Sequence, residues 1–355
     1  MTDAIEEHSL TIVLGAGASF EVGMPVGSTL KDQIASALNL KFDDFGRLSS
    51  KTHQTVAHAA ISLAHDGVHT KDPNECAKVA KLICNSMPLT PSIDNFIDSH
   101  RENKLVAAIG KLAIAYNILR AERSSLLHFS SDNTYNTIDF DKVGNTWYVK
   151  LFQLLTQNTQ ADQLATRLQK IKVVTFNYDR TLEHFMFHAI RMFYSLSKEK
   201  TTEILESLTI YHPYGRVGRL PWQIRNDGVK YGAELNIDEL KHVSSQLLTF
   251  TEGTSLAYSD VLEIRSTILN ANRLLFLGFA YHKLNLDLLY DDKAPLPGNV
   301  AKKVWGTSFN FSKSDSEEAR ADVARLSRCP DRNVQMRNDL TAVQMMQEYS
   351  RTLFI

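Results

Sequence analysis

The sequence predicts an α/β protein of the Rossmann-like, doubly wound type, with a parallel sheet and a large helical insertion. Five short segments are continuously apolar and alternate with helical patterns, as is typical of parallel strands covered on both faces. The predicted strands are 10–14 (LTIVL), 172–176 (KVVTF), 208–211 (LTIY), 273–279 (RLLFLGF) and 302–307 (KKVWGT).

The alternation of strands and helices is interrupted between residues 36 and 168, where several helical patterns occur and strand patterns are almost absent. Segment 102–129 is apolar on more than one side in its first half, which indicates a helix enclosed by neighbours. We therefore predict a core of 1–35 and 169–312, a helical insertion of 36–168 that caps the sheet, and a mostly helical tail of 313–355. The apolar end of this tail would pack on the core or on another subunit.

The composition is that of a soluble globular chain with no strong charge bias. Of the 355 residues 43% are hydrophobic and 22% charged, and the formal net charge is −1. No global field therefore favours nucleic acid or an anionic membrane. The N-terminal ten residues lack the pattern of a signal peptide, and no apolar run approaches 18 residues. These features predict a cytoplasmic protein with no membrane span, and they do not indicate direct nucleic-acid binding, although a local basic patch stays open.

The three cysteines, Cys76, Cys84 and Cys329, are too scattered for a disulfide framework or a paired-cysteine zinc site. They are expected to be unpaired thiols in a reducing compartment. No metal site is predicted.

The first predicted strand runs into a segment rich in glycine, LGAGASFEVGMPVG (14–27). Gly15 and Gly17 permit a tight turn and a close approach of the backbone to a phosphate. The dinucleotide fingerprint G-x-G-x-x-G fits only in its first half, because its sixth position is Phe20 and no acidic second strand follows. The glycines could serve merely to leave the strand. Five glycine and proline residues within 13 positions favour a longer, irregular loop instead.

Polar residues follow two further strands. Asn177 and Asp179 come directly after the second predicted strand, and His212 follows the third. In a parallel sheet these ends face the same crevice as the glycine loop. Asp179 could instead be the N-cap of the next helix, with Asn177 in a turn, and a lone histidine is usually structural. The convergence of the whole set favours a ligand site.

This set of motifs resembles the NAD-binding fold of the sirtuins. GAGAS with the nearby GMP is similar to the family's GAGxS…GIP loop, TFNYD to its TQNxD segment, and YHPYG to its HG histidine motif. LLFLGFAYHKLNLDLL is similar to the strand and loop that close over the cofactor. The matching motifs span residues 15 to about 310 and occur in the family's order, but they do not cover the helical insertion.

Three departures distinguish the chain from protein-deacylating sirtuins. The scattered cysteines cannot form the four-cysteine zinc module, GIPDFR becomes GMPVGS, and the glutamine of TQN becomes Phe176. The chain therefore resembles instead the sirtuin-type NADase branch of bacterial anti-phage systems. That branch has an Asn/His pair and hydrolyses NAD⁺ to ADP-ribose and nicotinamide.

The resemblance implies roles for individual residues. Asn177 and His212 would be catalytic, with Asn177 holding water or ribose hydroxyls and His212 binding a ribose hydroxyl and accepting a proton. Asp179 would contact the nicotinamide carboxamide. The remaining predicted contacts with NAD⁺, as substrate, are Gly15, Ala16, Gly17, Ser19, Pro25, Phe176, Gly278, Phe279, Thr307 and Ser308. His282, just after the fourth strand, could line the adenosine pocket, but a place at a helix start or in packing is the commoner role, and it stays outside the catalytic set.

Three functions remain open at this point. An NAD⁺ hydrolase would deplete the cofactor in abortive infection and would be restrained by assembly or a partner. The resemblance suggests a homo-oligomer and a HerA-type ATPase as that partner. A non-catalytic NAD or ADP-ribose-binding module would not need both Asn177 and His212. An NAD-dependent deacylase or ADP-ribosyltransferase is disfavoured by the missing zinc module.

Overall fold

A six-stranded, all-parallel sheet forms the centre of the molecule in the computed structural model, which describes residues 10–41, 48–49, 53–66, 70–130, 137–253, 260–290 and 302–353. The strand order is β3-β2-β1-β4-β5-β6. The strands are β1 (Leu10–Leu14), β2 (Ile171–Thr175), β3 (Thr209–Tyr211), β4 (Arg273–Leu277), β5 (Lys303–Thr307) and β6 (Val334–Arg337). The prediction of a Rossmann-like doubly wound α/β fold is confirmed.

The helices follow and separate the strands. They are α1 (Ala16–Ser19), α2 (Gly27–Ala37), α3 (Gln54–Asp66), α4 (Pro73–Ser86), α5 (Ile93–Ser99), α6 (Lys104–Ser124), α7 (Trp147–Thr156), α8 (Leu164–Leu168), α9 (Thr181–Phe193), α10 (Lys198–Leu205), α11 (Ile237–Ser245), α12 (Phe250–Gly253), α13 (Asp260–Asn270), α14 (Lys283–Leu289), α15 (Lys313–Ser327), α16 (Ala342–Glu348) and α17 (Ser350–Leu353).

The central strands are apolar because both faces of the sheet are covered. All five residues of β1 and all five of β4 are buried. A strand with only one covered face would alternate apolar and polar side chains, whereas LTIVL and RLLFL bury consecutive residues. In register, Leu14 lies beside Thr175 of β2 on one side and Leu277 of β4 on the other. The end of β1 is thus the middle of the sheet's carboxyl edge.

The interval between β1 and β2 contains helices and no extended strand among its described residues. Its longest helix, α6, buries 13 of its 21 residues, including Asn117 and Glu122. The expectation of an enclosed helix in segment 102–129 is therefore met. α6 packs against α2, α3, α4 and α11, so the insertion contacts the core along much of its length.

The tail contains a strand that was not predicted. β6 pairs in parallel with β5, from Val304↔Val334 to Thr307↔Arg337, and forms one edge of the sheet. Its sequence, VQMR, alternates apolar and polar residues over only four positions. This short alternation suits a half-exposed edge strand and is too brief to stand out from the helical patterns around it.

Among the described residues, no helix is long and apolar enough to cross a membrane. Residues 1–9, on which the expectation about the N-terminus depends, lie outside the described part of the chain.

Candidate functional site

The candidate site lies where the strand order reverses, at the carboxyl ends of β1, β2 and β4. Open α/β sheets bind ligands in the crevice at this point. Backbone hydrogen bonds join the three strand ends. The amide of Gly15 donates to Leu277 O at 3.1 Å, and that of Phe176 donates to Leu14 O at 2.9 Å. The predicted residues after β1, β2 and β4 are therefore neighbours.

Gly15, Gly17 and Gly278 are required by the contact between the loops after β1 and β4. A β-carbon on Gly15 would lie 2.5 Å from Gly278 O, and one on Gly278 would lie 2.0 Å from the amide nitrogen of Ala18. Gly278 also has a φ of +57°, in the left-handed region. The close backbone approach inferred from these glycines is thus first an approach of one loop to the other.

The first helix after β1 begins earlier in the chain than the sequence predicted. We expected an irregular loop, but α1 begins at Ala16, a 3₁₀ turn covers Phe20–Val22, and Gly23 ends it with a φ of 90°. Ala16 and Ala18 favour this short helix, and the backbone hydrogen bond from Ala18 to Gly15 O closes its first turn. Pro25 lies half-buried in the connection to α2.

Asn177 ties the second strand end to the first. Its side-chain amide nitrogen donates to Gly15 O at 3.1 Å and to Ser19 Oγ at 3.0 Å. The side chain is almost fully buried, with 7% of its residue surface exposed. Both amide hydrogens are thereby used within the protein. Oδ1 has no hydrogen-bond partner among the described residues and is the atom left to accept one.

Asp179 lies beside Asn177 on the same network. Its Oδ1 accepts hydrogen bonds from Ser19 Oγ at 3.3 Å, from Thr181 Oγ1 at 2.6 Å and from the Thr181 amide at 3.1 Å. Burial raises the pKa of its carboxyl to about 6, against the lowering effect of the Thr181 contacts. Asp179 also supports the start of α9, although the N-cap itself is Arg180.

The helical insertion reaches this network through Tyr148 of α7. The Tyr148 hydroxyl lies 2.8 Å from Thr181 Oγ1 and 3.3 Å from Ser19 Oγ. Its neighbour Trp147 donates from Nε1 to Ala18 O at 2.8 Å. Neither residue was predicted, because an aromatic pair in a helical pattern is usually part of the core.

His212 belongs to a second network, which it forms with Glu183 in the first turn of α9. Its Nε2 lies 2.9 Å from Glu183 Oε1, which Arg216 also approaches at 3.2 Å. Burial alone would raise the pKa of Glu183, but the charge and hydrogen bond of His212, together with Arg216, bring it to about 2. Nδ1 of His212 is buried and has no hydrogen-bond partner among the described residues. Glu183 and Arg216 were not predicted.

These contacts define the tautomer of His212 when its ring is neutral. A carboxylate can only accept a hydrogen bond, so Nε2 carries the hydrogen and Nδ1 carries the lone pair. The two networks meet at the start of α9, because Thr181 and Glu183 lie in its first turn and Asp179 lies two residues before it.

The remaining predicted residues lie at or next to the carboxyl ends of β2, β4 and β5. The Thr307 hydroxyl accepts a hydrogen bond from the Gly278 amide at 2.8 Å. The ring centres of Phe176 and Phe279 are 5.2 Å apart. Ser308 is buried and its hydroxyl is 2.7 Å from that of Ser316, so it contacts α15. His282 is the N-cap of α14, as expected.

No group of three or more histidine, cysteine or acidic side chains placed to hold a metal ion occurs among the described residues. The chain matches no protein-family model and no curated protein sequence. The fold and site together define a Rossmann-like α/β protein with a buried polar network at the reversal of its strand order.

Proposed function

We propose that the protein is an NAD⁺ hydrolase that cleaves NAD⁺ to ADP-ribose and nicotinamide. The observation that carries this proposal is the position of Asn177. Its amide binds the glycine segment after β1, and its free Oδ1 lies at the reversal of the strand order. The resemblance of the motifs to sirtuin-type NADases supplies the substrate.

The reaction breaks the bond between the ribose C1′ and the nicotinamide nitrogen, and the bonding electrons leave with nicotinamide. Nicotinamide is cationic in NAD⁺ and departs neutral, so no strong acid is needed. Water adds to C1′ through an oxocarbenium-like transition state and loses a proton. Asn177 Oδ1 can accept a hydrogen bond from this water or from a ribose hydroxyl, which fixes the geometry of attack.

His212 would contribute through Nδ1. The hydrogen bond to Glu183 orients the ring and leaves this lone pair to accept from a ribose hydroxyl or to take the proton. Asp179, with a pKa of about 6, can be protonated and donate to the nicotinamide carboxamide oxygen. Glu183 is a positioning residue in this scheme, because it acts through His212.

One observation favours a second candidate, a non-catalytic module that binds NAD or ADP-ribose. Asn177 and Asp179 both have protein partners that account for their burial, including the start of α9. A binding module would need the strand-end crevice and these supports, without turnover.

We also propose that self-assembly or a HerA-type ATPase restrains the activity. A role in abortive infection belongs to the same proposal. Both are carried by the resemblance alone. Co-purification of the tagged chain from its native host, followed by mass spectrometry and light scattering, tests them. Recovery of the chain as a monomer without an ATPase would contradict the proposed assembly and the proposed partner.

The decisive experiment measures NAD⁺ loss and nicotinamide release by purified protein, without a peptide acceptor. Asn177→Ala and His212→Ala are expected to lower the rate at least about a hundredfold, since each removes a group at the reacting centre. The control is His58→Ala on the exposed side of α3. Tight NAD⁺ binding without turnover would point to an inhibited enzyme awaiting its partner or to the binding module, and absence of binding would overturn both candidates.

A further inference from the structure

A cavity of ≈ 590 Å³ lies between helices of the insertion and the helices that follow β3. Its walls come from α3, α5 and α6 of the insertion and from α11 and α12. The volume is within the range of small-molecule sites, roughly 300–1,000 Å³. Leu63, Ile97, Ala107 and Leu112 provide an aliphatic surface, and no aromatic side chain is among the described lining residues.

Basic side chains surround this aliphatic surface. Arg101, Lys104, Lys111 and Lys241 line the cavity against two carboxylates, Asp98 and Glu252. Lys111 is paired with Glu252 at 2.6 Å. Arg101 and Lys104 are exposed, and neither side chain has an ionic or hydrogen-bond partner within the described part of the chain. The cavity therefore has two cationic groups available beside an apolar wall.

We propose that this cavity binds a small aliphatic carboxylate. The chain of such a ligand would pack on Leu63, Ile97 and Leu112. Its carboxylate would accept a bidentate pair of hydrogen bonds from the planar guanidinium of Arg101 and a further hydrogen bond from the ammonium of Lys104. The missing aromatic surface favours an aliphatic body over a stacked base or ring.

Two walls of the cavity also touch the candidate functional site. α5, which contributes Ile97 to the cavity, carries Asp94, and the Tyr178 hydroxyl donates a hydrogen bond to Asp94 Oδ1. Tyr178 stands between Asn177 and Asp179. On the other side, α12 packs so closely that a β-carbon on Gly253 would lie 2.6 Å from Pro213 O. A ligand that orders α5 and α12 would thereby steady the segments next to both polar networks.

Calorimetric titration of the full chain with sodium octanoate tests the binding. The comparators are 1-octanol, which lacks the charge, and acetate, which lacks the chain. Arg101→Ala/Lys104→Ala is expected to bind octanoate at least about tenfold more weakly, because charge-assisted contacts are lost. The matched control, Lys78→Ala/Lys81→Ala on α4, removes the same charge from exposed positions outside the cavity and should bind as the wild type does.

Hydrogen–deuterium exchange in the same samples tests the coupling. Octanoate should slow exchange of amides in 177–179 and 214–215 of the wild type and leave the Arg101/Lys104 variant unchanged. Equal octanoate affinity in both double variants would overturn the site, and equal affinity for 1-octanol or acetate would overturn the ligand class. Binding without slower exchange would overturn the coupling. None of these readouts depends on NAD⁺ cleavage.

Discussion

Glu122 of α6 and Arg180 at the start of α9 form an ion pair from which solvent is fully excluded. Arg180 Nε donates to Glu122 Oε1 at 3.0 Å, and the Arg180 amide donates to the same oxygen at 3.2 Å. The Gly232 amide donates to Oε2 at 2.9 Å. Because Arg180 directly follows Asp179, this pair fastens the helical insertion to the candidate site.

Replacement of Glu122 by alanine is expected to lower the free energy of unfolding by about 3–5 kcal/mol, because Arg180 would remain as an unpaired buried charge. Urea denaturation at pH 7 measures this loss. Glu203→Ala, which breaks the exposed pair with Lys200, should change stability little. A similar small effect at both positions would contradict the assigned importance of the buried pair.

The interlocked glycines give a second prediction. Gly278→Ala should lower the free energy of unfolding by about 3 kcal/mol, since it adds a clash with Ala18 to an unfavourable φ. Gly27→Ala is the control, because its β-carbon would meet nothing within 4 Å and φ is not positive there. Thermal unfolding of the two variants separates steric conflict from the general effect of replacing glycine.

The raised pKa of Asp179 predicts a pH dependence of stability. Its pKa is about 6 in the folded chain against an ordinary value of 3.8, so the folded state binds the extra proton. The stabilising contribution of Asp179 is therefore present at low pH and lost as pH rises from about 4 to about 6. The stability difference between wild type and Asp179→Asn should shift by about 3 kcal/mol across that window.

Urea denaturation at several pH values between about 4 and 7 measures this difference. The comparison of two variants cancels the titration of other carboxylates that both chains share. A difference that stays constant with pH would show that Asp179 keeps an ordinary pKa.

The lowered pKa of Glu183 predicts a pH dependence of stability opposite in sign to that of Asp179. Its pKa is about 2 in the folded chain against an ordinary value of 4.5, so its contribution is present above pH 4.5 and lost as pH falls towards 2. Glu183→Gln should be less stable than wild type at pH 7 and approach it in acid. If His212 acts in NAD⁺ cleavage, the variant should also lower kcat about tenfold or more.

The control for Glu183 is Glu206→Gln, an exposed carboxylate at the end of α10. Equal kcat in Glu183→Gln and wild type would remove the positioning role. A stability loss without any change in the pH profile of kcat would assign Glu183 a purely structural part.

The strands could be predicted from the sequence where their apolar runs were long and continuous. The strands 10–14 and 273–277 bury every residue, and continuous runs of this length between turn residues are typical of central parallel strands. The predicted fourth strand ran two residues too far, because Gly278 turns the backbone at a positive φ. β6 was missed because its four residues alternate, and a single short alternation carries little information.

Of the candidate site, the sequence allowed us to predict only the residues that directly follow the strands. Asn177 and Asp179 could be placed beside the glycine segment because parallel strands end at one edge. Tyr148 could not be placed, since no sequence pattern shows which face of an insertion helix meets the sheet. Glu183 was hidden in an apolar helix, TLEHFMFHAIRMF, where one acid is read as an ordinary first-turn residue.

The position of β1 in the middle of the sheet has a consequence for synthesis on the ribosome. Its two neighbours, β2 and β4, begin at Ile171 and Arg273. β1 thus leaves the exit tunnel long before either partner exists, while the helices of the insertion have local contacts and can form at once. We expect the nascent chain to hold LTIVL against those helices or a chaperone. The central crevice closes only after Gly278 has emerged to meet Gly15 and Gly17.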